Sequence, residues 1–353
     1  MSIENEHPLG PVMLDVAGLA LTDEDRERLT HRLTGGVILF SRNFESTDQL
    51  LRLTDAIHAL RTPQLLIAVD HEGGRVQRFQ SGFTAIPAMR SLGHAWDRDA
   101  SLARATASDI GYVLASELRA CGVDMSFTPV LDVDFGASGV IGDRAFHGDP
   151  RAIVQLAGAL MTGLREAGMR CVGKHYPGHG FVHADSHFEV PVDERPRAEI
   201  EACDLLPYRE LAGRGLSAVM PAHVIYQQVD RMPAGYSPLW IKEILRGELG
   251  FEGVVFSDDL SMEGASMAGG VVARAQTALG AGCDMVLVCN NPDAADRLLS
   301  GLHVLQEAQS VERIATMRPD PFPMDFNTLR RLPRYQAALA ALQRHAAAYP
   351  VNT

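Results

Sequence analysis

The sequence predicts a single-domain (β/α)8 TIM barrel of the α/β class, with a C-terminal helical extension. Short apolar runs typical of buried strands alternate with amphipathic stretches about eight times along the 353 residues. Apolar strands separated by helices indicate a parallel sheet covered on both faces, and eight such units are the number that closes into a barrel. No Pro-, Gly- or Ser-rich linker divides them. We therefore expect one domain over residues 1–353, with a core at about 10–310 and the extension at about 311–353.

The elements follow in order along the chain. The strand-like runs are PVMLDV, GGVILF, QLLIAV, DMSFTPVLDV, RCVGK, LSAVM, GVVFS and DMVLV. Helical patterns lie in TDEDRERLTHRL, STDQLLRLTDAIHALR, SLARATASDIGYVLASELRAC and DPRAIVQLAGALMTGLREAG. Thr22 with Asp25, and Ser46 with Gln49, have the spacing of helix-capping residues. After about Gln309 we expect an irregular connector containing PDPFP and then a terminal helix.

A doubly wound open sheet is the competing fold. It is disfavoured because no G-x-G-x-x-G motif follows the first strand to mark a dinucleotide site.

Composition limits the partners. The net charge of −12 and the isoelectric point near 5.5 argue against nucleic acid, which requires a basic surface. No apolar run is long enough to span a bilayer, and the N-terminus lacks the features of a secretion signal. The five cysteines are scattered and form no C-x-x-C pair, which is typical of reduced thiols. We expect a cytoplasmic protein without a cofactor, a membrane partner or a nucleic-acid partner, and a monomer by default.

Polar residues follow every predicted strand, where barrel enzymes carry their chemistry. They are Asp15, Arg42, Asn43, Asp70, His71, Asp132, Asp134, Lys174, His175, His223, Asp258, Asp259, Asn290 and Asn291. Aspartates and asparagines at such places also cap helices, so for Asp15, Asp132, Asp134, Asn290 and Asn291 a structural role is equally open. Lys174 is expected at the barrel mouth, where its ammonium group must find an anion or polar partners.

The segment HYPGHGFVHADSH holds four histidines at every fourth position, a spacing that would align them on a helix as a zinc site. Pro177, Gly178 and Gly180 prevent that helix, so the segment is expected to be a loop. No H-E-x-x-H motif is present, and we expect no catalytic metal.

Within this loop, Asp185 and His187 are close enough for the carboxylate to accept a hydrogen bond from the imidazole. Such a dyad fixes the tautomer and raises the basicity of the ring, as proton transfer requires. His179 and His183 are expected to play structural roles.

Several separated motifs, in the right order along the chain, together resemble glycoside hydrolase family 3. They are GGVILFSRNF, AVDHEGGRVQRF, IGDRAF, KHYPGHG, DSH and FSDDLSM. More narrowly, the combination of KHYPGHG with DSH resembles the single-domain bacterial β-N-acetylglucosaminidases (β-hexosaminidases) of peptidoglycan recycling. The similarity extends over nearly the whole chain.

The resemblance implies a role for each matched position. Asp258 would be the nucleophile that forms a covalent glycosyl-enzyme, and Asp259 would support the following helix. His187 would be the acid/base catalyst, with Asp185 as its dyad partner. The residues implied to hold the non-reducing N-acetylglucosamine are Asp70, Arg78, Arg144, Lys174 and His175.

Retaining glycosidases usually employ two carboxylates about 5 Å apart. No second carboxylate stands out here as the proton donor, and a histidine that titrates near neutrality can take that part. The implied substrate is a muropeptide fragment such as GlcNAc-1,6-anhydro-MurNAc, with water or phosphate as the glycosyl acceptor. Two alternatives stay open: a metal-dependent amidohydrolase-type barrel that uses His175, His179, His223 and an Asp, and a non-catalytic amino-sugar-binding protein.

Overall fold

Eight parallel strands form the centre of the molecule, described by a computed structural model over residues 7–136, 138–183, 190–322 and 324–350. The strands are β1 (Val12–Leu14), β2 (Thr34–Leu39), β3 (Leu66–Val69), β4 (Met125–Ser126), β5 (Val172–Tyr176), β6 (Ala218–Pro221), β7 (Val254–Asp259) and β8 (Met285–Val288). Each overlaps one of the eight apolar runs in the sequence. The predicted α/β barrel is confirmed.

The sheet runs in the order β4-β3-β2-β1-β8-β7-β6-β5, so strands adjacent in the chain are adjacent in the sheet. Its two ends meet through backbone hydrogen bonds between β5 and the residues that follow β4. The N–H of Lys174 donates to the carbonyl oxygen of Pro129 at 3.1 Å, and the N–H of Leu131 donates to the carbonyl oxygen of Lys174 at 2.6 Å. An open, doubly wound sheet is therefore wrong for this chain. Closure brings the carboxyl ends of all eight strands to one rim.

At least one helical segment follows every strand. The helices are α1 (Asp23–Thr30), α2 (Thr47–His58), α3 (Arg90–Trp96), α4 (Ala100–Ala120), α5 (Pro150–Glu166), α6 (Arg197–Ala202), α7 (Leu205–Ala212), α8 (Val271–Ala281), α9 (Pro292–Gly301), α10 (Ala308–Thr316), α11 (Phe326–Leu329) and α12 (Pro333–Ala348). A π-helical segment, Leu239–Glu248, stands between β6 and β7. Within the described ranges, no helix has the length and apolar character needed to cross a membrane.

Both capping pairs identified in the sequence begin helices. The hydroxyl of Thr22 accepts from the N–H of Asp25, and the Asp25 carboxylate accepts from the N–H of Thr22, each at 3.1 Å. The hydroxyl of Ser46 accepts from the N–H of Gln49 at 3.2 Å. These bonds occupy N–H groups that the first turn of a helix leaves without backbone partners.

The loop after β5 packs closely against the chain that follows β4. A Cβ atom at Gly180 would lie 1.8 Å from the carbonyl oxygen of Val133, so no larger residue fits at this position. The contact holds the histidine-rich segment against the rim on the side of β4.

The C-terminal region differs in part from the expectation. Helix α10 lies where the sequence suggested the start of an irregular connector. It is only nine residues long, and its large apolar side chains are Val311 and Ile314. The terminal helix α12 is present and packs against α4. The division between core and extension near residue 310 stays a prediction.

Candidate active site

A pocket of about 330 Å³ opens at the carboxyl-end rim of the barrel. Its apolar lining includes one side chain each from β2, β6 and β8 and one just after β4: Ile38, Met220, Leu287 and Phe127. Contributions from alternate strands are the pattern of one interior layer of a barrel, so this layer closes the pocket from below. The polar residues around it are Asp70, Glu72, Arg75, Arg78, Arg144, Lys174, His175, His179, Asp258, Asp259 and Asn290. An apolar base with hydrogen-bonding walls suits a small ligand that has both apolar faces and polar edges.

The two adjacent aspartates at the end of β7, Asp258 and Asp259, make different contacts. The pairing of β7 with β8 shifts register between Phe256 and Asp259, so the strand is irregular where the acids lie. The carboxylate of Asp258 accepts the N–H of Asp259 at 2.8 Å and also lines the pocket.

The carboxylate of Asp259 accepts hydrogen bonds from the turn that follows β7. It accepts from the N–H and the hydroxyl of Ser261, at 2.9 and 2.6 Å, and from the N–H of Cys289 at 3.1 Å. Burial raises the pKa of Asp259 to about 6, although these hydrogen bonds oppose the shift. These contacts join the end of β7 to the turn after it and to Cys289, and the support of the following helix by Asp259 stays a prediction.

Lys174 projects from β5 into a cluster of carboxylates. Its Nζ lies 2.7 Å from Oδ1 of Asp70 and 2.6 Å from Oε1 of Glu72, and the side chain is 3% exposed. Burial alone would lower the pKa of Lys174, but Asp70 and Glu72 outweigh that effect and raise it. Lys174 is therefore a charged donor at the working pH of the protein.

Glu72 also binds Arg144 through two parallel hydrogen bonds. Nε and one terminal nitrogen of Arg144 each lie 2.8 Å from a separate oxygen of Glu72. Burial would raise the pKa of Glu72, but Arg144 and Lys174 hold it well below its usual range. The pKa of Arg144 is raised by Glu72 in spite of burial. Arg78 stands further away, with a terminal nitrogen 3.7 Å from Oδ2 of Asp70.

Asp132 organises the beginning of the histidine-rich segment. Its Oδ2 lies 2.7 Å from Nδ1 of His175, and its Oδ1 accepts from the N–H of His179 at 2.6 Å. Burial would raise the pKa of Asp132, but His175 and His179 lower it below its usual value. Because an ionised carboxylate only accepts, the proton of His175 resides on Nδ1 and Nε2 is left for a ligand.

The structure brings most of the predicted site residues together. Asp258, Asp70, Arg78, Arg144, Lys174 and His175 all line the one pocket. Asp185 and His187, the predicted dyad, lie outside the described residues. Of the two histidines expected to be structural, His179 is buried and lines the pocket, whereas His183 is exposed.

The remaining strand-end residues divide between structural contacts and the pocket. Asn291 caps α9 by accepting from the N–H of Ala294 at 2.9 Å, and Asp134 accepts the N–H of Gly136 at 2.8 Å. Asp15 forms an ion pair with Arg42. Asn290, in contrast, lines the pocket.

Glu72 is a site residue that the sequence analysis did not single out. It stands in the quoted AVDHEGGRVQRF motif, two residues after Asp70, and its side chain is 2% exposed. An acidic residue close after a buried strand is the signal that pointed to Asp70, and Glu72 is the third residue after the same strand.

Two of the three histidines proposed for a metal site in the alternative contact other partners. Nδ1 of His175 contacts Asp132, and Nε2 of His223 contacts the carbonyl oxygen of Asp259 at 3.1 Å. Across the part of the chain that the structure describes, no three His, Cys, Asp or Glu residues converge as metal ligands.

Comparisons with known proteins agree with this architecture. The model of the glycosyl hydrolase family 3 N terminal domain matches residues 11–317. A beta-hexosaminidase from Nitrosospira multiformis is 60% identical, covering 94% of this chain and 95% of its own length. Another from Bordetella avium is 60% identical, covering 94% of each chain.

Among solved structures, the chain is similar to NagZ from Neisseria gonorrhoeae in complex with N-trifluoroacetyl-D-glucosamine. The two share 51% sequence identity with a TM-score of 0.93, and the match covers 97% of this chain and 99% of that one. The family match contains all eight strands and the described pocket residues. The chain is therefore a glycoside hydrolase and belongs to glycosyl hydrolase family 3.

Proposed function

We propose that the protein is a retaining exo-β-N-acetylglucosaminidase that removes non-reducing terminal GlcNAc from peptidoglycan fragments. The substrates are GlcNAc-1,6-anhydro-MurNAc and its peptides, as they arise in cell-wall recycling. Relatives at 60% identity bear the name beta-hexosaminidase, and the similar NagZ structure holds an N-acylated glucosamine.

One observation carries the proposal. Asp258 stands at the end of β7 on the wall of a small pocket, and the same pocket is lined by Asp70, Lys174 and Arg144. A carboxylate beside a set of hydrogen-bonding groups is what a glycosidase needs to hold one sugar and attack its anomeric carbon. The volume of about 330 Å³ fits a single terminal sugar better than the middle of a polymer.

In the first half of the reaction, a carboxylate oxygen of Asp258 attacks C1 of the bound sugar as the glycosidic C1–O bond breaks. The protonated imidazole of His187 gives its proton to the leaving oxygen, so the aglycone departs as an alcohol. The product is a glycosyl ester on Asp258 with inverted configuration at C1.

In the second half, neutral His187 takes a proton from water while the water oxygen attacks C1 on the face that the aglycone left. The ester bond breaks, Asp258 leaves as a carboxylate, and C1 regains the β configuration. Asp185 would hold the imidazole in one tautomer and stabilise its charged form, which replaces the second carboxylate of ordinary retaining enzymes.

The charged residues that line the pocket would bind the sugar. Asp70 would accept from ring hydroxyls, and Nε2 of His175 would accept from another hydroxyl. Lys174, Arg144 and Arg78 would donate to the hydroxyl and N-acetyl oxygens. Charge-assisted hydrogen bonds of this kind fix the sugar over Asp258.

The test is release of 4-nitrophenol from 4-nitrophenyl N-acetyl-β-D-glucosaminide, with and without EDTA, by the wild-type protein and by Asp258→Ala. Hydrolysis that EDTA leaves unchanged and that the variant loses is the expected result. Circular dichroism and GlcNAc binding should stay intact in the variant. Absence of hydrolysis by the wild type, or its loss on chelation, would overturn the proposal.

The substrate class is tested separately by mass spectrometry of GlcNAc-1,6-anhydro-MurNAc after incubation. Free GlcNAc and 1,6-anhydro-MurNAc are the expected products. Turnover of the aryl glycoside alone would retain the glycosidase but remove the peptidoglycan fragment as its substrate.

We also propose that the enzyme acts as a monomer in the cytoplasm. All five cysteines are free thiols, and four of them are buried, which is typical of proteins from reducing compartments. Sedimentation equilibrium at micromolar concentration and fractionation of cells expressing the tagged protein would test the two statements.

A further inference from the structure

Glu72 is a buried acid between two cations that face the sugar pocket. Its side chain is 2% exposed, yet it is held in the charged form by Arg144 and Lys174. It lines the pocket together with both cations. A buried carboxylate in such a place constrains its partners through geometry and through charge.

The geometric constraint is visible in the donors of Lys174. An ammonium group has three N–H donors. Asp70 and Glu72 occupy two of them, at 2.7 and 2.6 Å, so one remains for a ligand. With Glu72 in place the ammonium group cannot turn without breaking a charged hydrogen bond.

Arg144 is constrained in the same way. A guanidinium group has five N–H donors in a rigid plane. Two of them go to Glu72 at 2.8 Å each, and a third goes to the carbonyl oxygen of Val140 at 3.2 Å. The plane of the guanidinium is thereby set, and two donors are left for a ligand.

The charge of Glu72 also affects how well an uncharged sugar competes with anions for the pocket. Around Glu72 stand two cations, Lys174 and Arg144, and the second carboxylate that faces them, Asp70, is shared with Arg78. Without the charge of Glu72, this side of the pocket would be one unit more positive, and Asp70 would be left as the carboxylate in contact with Lys174. Such a site attracts small anions, which then compete with a neutral sugar.

We infer that Glu72 is a positioning residue for sugar binding, which orients Lys174 and Arg144 and suppresses anion binding in the pocket. This inference deepens the proposed function and rests on it for the identity of the sugar. Glu72 does not itself need to touch the sugar or the reacting atoms.

The test compares wild type, Glu72→Gln and Glu72→Asp in steady-state hydrolysis of 4-nitrophenyl N-acetyl-β-D-glucosaminide and in calorimetric titration with GlcNAc. Loss of a charged hydrogen bond that orients a donor corresponds to a weakening of binding by about tenfold or more. We expect KM and the GlcNAc Kd to rise by that factor in Glu72→Gln while kcat changes less, because binding of the ground state and the transition state is weakened alike. Glu72→Asp, which keeps the charge, should recover part of the loss.

Two further readouts separate positioning from a merely structural role. Chloride should inhibit Glu72→Gln but not wild type when ionic strength is kept constant with gluconate. The rise of KM with pH should begin at lower pH in Glu72→Gln, because Lys174 then keeps Asp70 as its one carboxylate contact among the described residues and its pKa falls.

Glu117→Gln is the matched control. Glu117 is an equally buried acid on α4 that binds Thr84 and Tyr335 and does not line the pocket. The Glu117→Gln substitution should lower the stability of the protein to urea without changing KM, the GlcNAc Kd or the effect of chloride.

The outcomes distinguish this inference from the proposed function. KM and Kd within about twofold of wild type in Glu72→Gln, with no chloride inhibition, would overturn the positioning role. If the wild type binds GlcNAc but does not hydrolyse the glycoside, the proposed reaction fails and the calorimetric comparison still decides the part of Glu72. If the wild type does neither, both fall. Should Glu72→Gln not fold, Glu72→Asp with wild-type KM and Kd would contradict the inference.

Discussion

The carboxylate of Asp132 holds His175 at the mouth of the barrel: Oδ2 lies 2.7 Å from Nδ1 of the imidazole, and Oδ1 accepts the N–H of His179 at 2.6 Å. Asp132 is fully buried, whereas His175 lines the pocket. One side chain in the segment that follows β4 therefore fixes both the ring and the backbone of the segment that follows β5.

Replacement of Asp132 by Asn should weaken sugar binding. An amide can present its NH2 group to the imidazole and reverse the tautomer, so Nε2 of His175 would offer a proton where it now offers a lone pair. We expect KM for the aryl N-acetylglucosaminide to rise by about tenfold, the factor for one misdirected hydrogen bond to a charged or strongly polar group. Asp134→Asn, two residues along on the same loop, is the control and should leave KM unchanged. Equal KM values in the two variants would remove the orienting role of Asp132.

The same carboxylate should make folding sensitive to acid. Its pKa in the folded protein lies below the usual value of 3.8 because His175 and His179 favour the charged form. The stabilisation is then fully present above about pH 4 and is lost as the pH falls through the lower, folded-state pKa. Urea unfolding of wild type and Asp132→Asn at several pH values between 7 and 3 will measure it. The difference in unfolding free energy should be constant down to about pH 4 and shrink below that pH, and a difference that widens on acidification would contradict the sign.

The fold was accessible from the sequence because its signals are local. Each buried strand appears in the sequence as an apolar run. Thr22 and Ser46 each mark the start of a helix through a capping partner three residues later. Helix α10 was missed because a nine-residue helix whose large apolar side chains are only Val311 and Ile314 differs little from a polar connector.

The site was accessible only in part. Strand ends and family motifs pointed to Asp258, Asp70 and Lys174, which do meet in one pocket. No local sequence pattern indicates that Glu72 binds Arg144, which lies 72 residues further along the chain, because the two side chains meet only once the barrel has closed. For Asp132 the sequence left a functional role and a structural role equally open, since both place an aspartate near the end of a strand.

Azide should distinguish the nucleophile from the acid/base catalyst by the anomer that it forms. In Asp258→Ala the carboxylate is missing from one face of the sugar, so azide can enter there and displace the aglycone to give the α-glycosyl azide. In His187→Ala the glycosyl ester on Asp258 still forms, and azide attacks from the other face to give the β-glycosyl azide. Proton NMR of the products from 2,4-dinitrophenyl N-acetyl-β-D-glucosaminide identifies the anomer. An α-azide from Asp259→Ala instead of Asp258→Ala would move the nucleophile by one residue.

His187→Ala should discriminate between leaving groups. A phenolate with a low pKa departs without help, whereas a sugar alkoxide needs a proton in the transition state. General acid catalysis contributes about 10²- to 10⁴-fold, so kcat/KM should fall by that range for GlcNAc-1,6-anhydro-MurNAc and much less for the dinitrophenyl glycoside. His183→Ala, at the neighbouring histidine of the same segment, is the matched control. An equal loss on both substrates would argue against an acid role for His187.

The terminal helix α12 should contribute to stability through Tyr335. Its hydroxyl donates to the carboxylate of Glu117 on α4, and that carboxylate also accepts from the N–H and the hydroxyl of Thr84, at 2.8 and 2.5 Å. Tyr335→Phe removes one donor to a buried acid and should lower the free energy of unfolding by about 1–3 kcal/mol. Equilibrium urea unfolding with a common m-value will measure the change.

Tyr208→Phe provides the contrast. The Tyr208 hydroxyl is also buried, but it has no hydrogen-bond partner among the residues that the structure describes. Its removal deletes a desolvated polar group that gains nothing in the fold, so stability should be unchanged or should increase. If the two variants lost equal stability, the effect would come from the loss of a hydroxyl as such. A loss confined to Tyr335→Phe, with KM unchanged because Tyr335 does not line the pocket, would assign it to the clamp between α12 and α4.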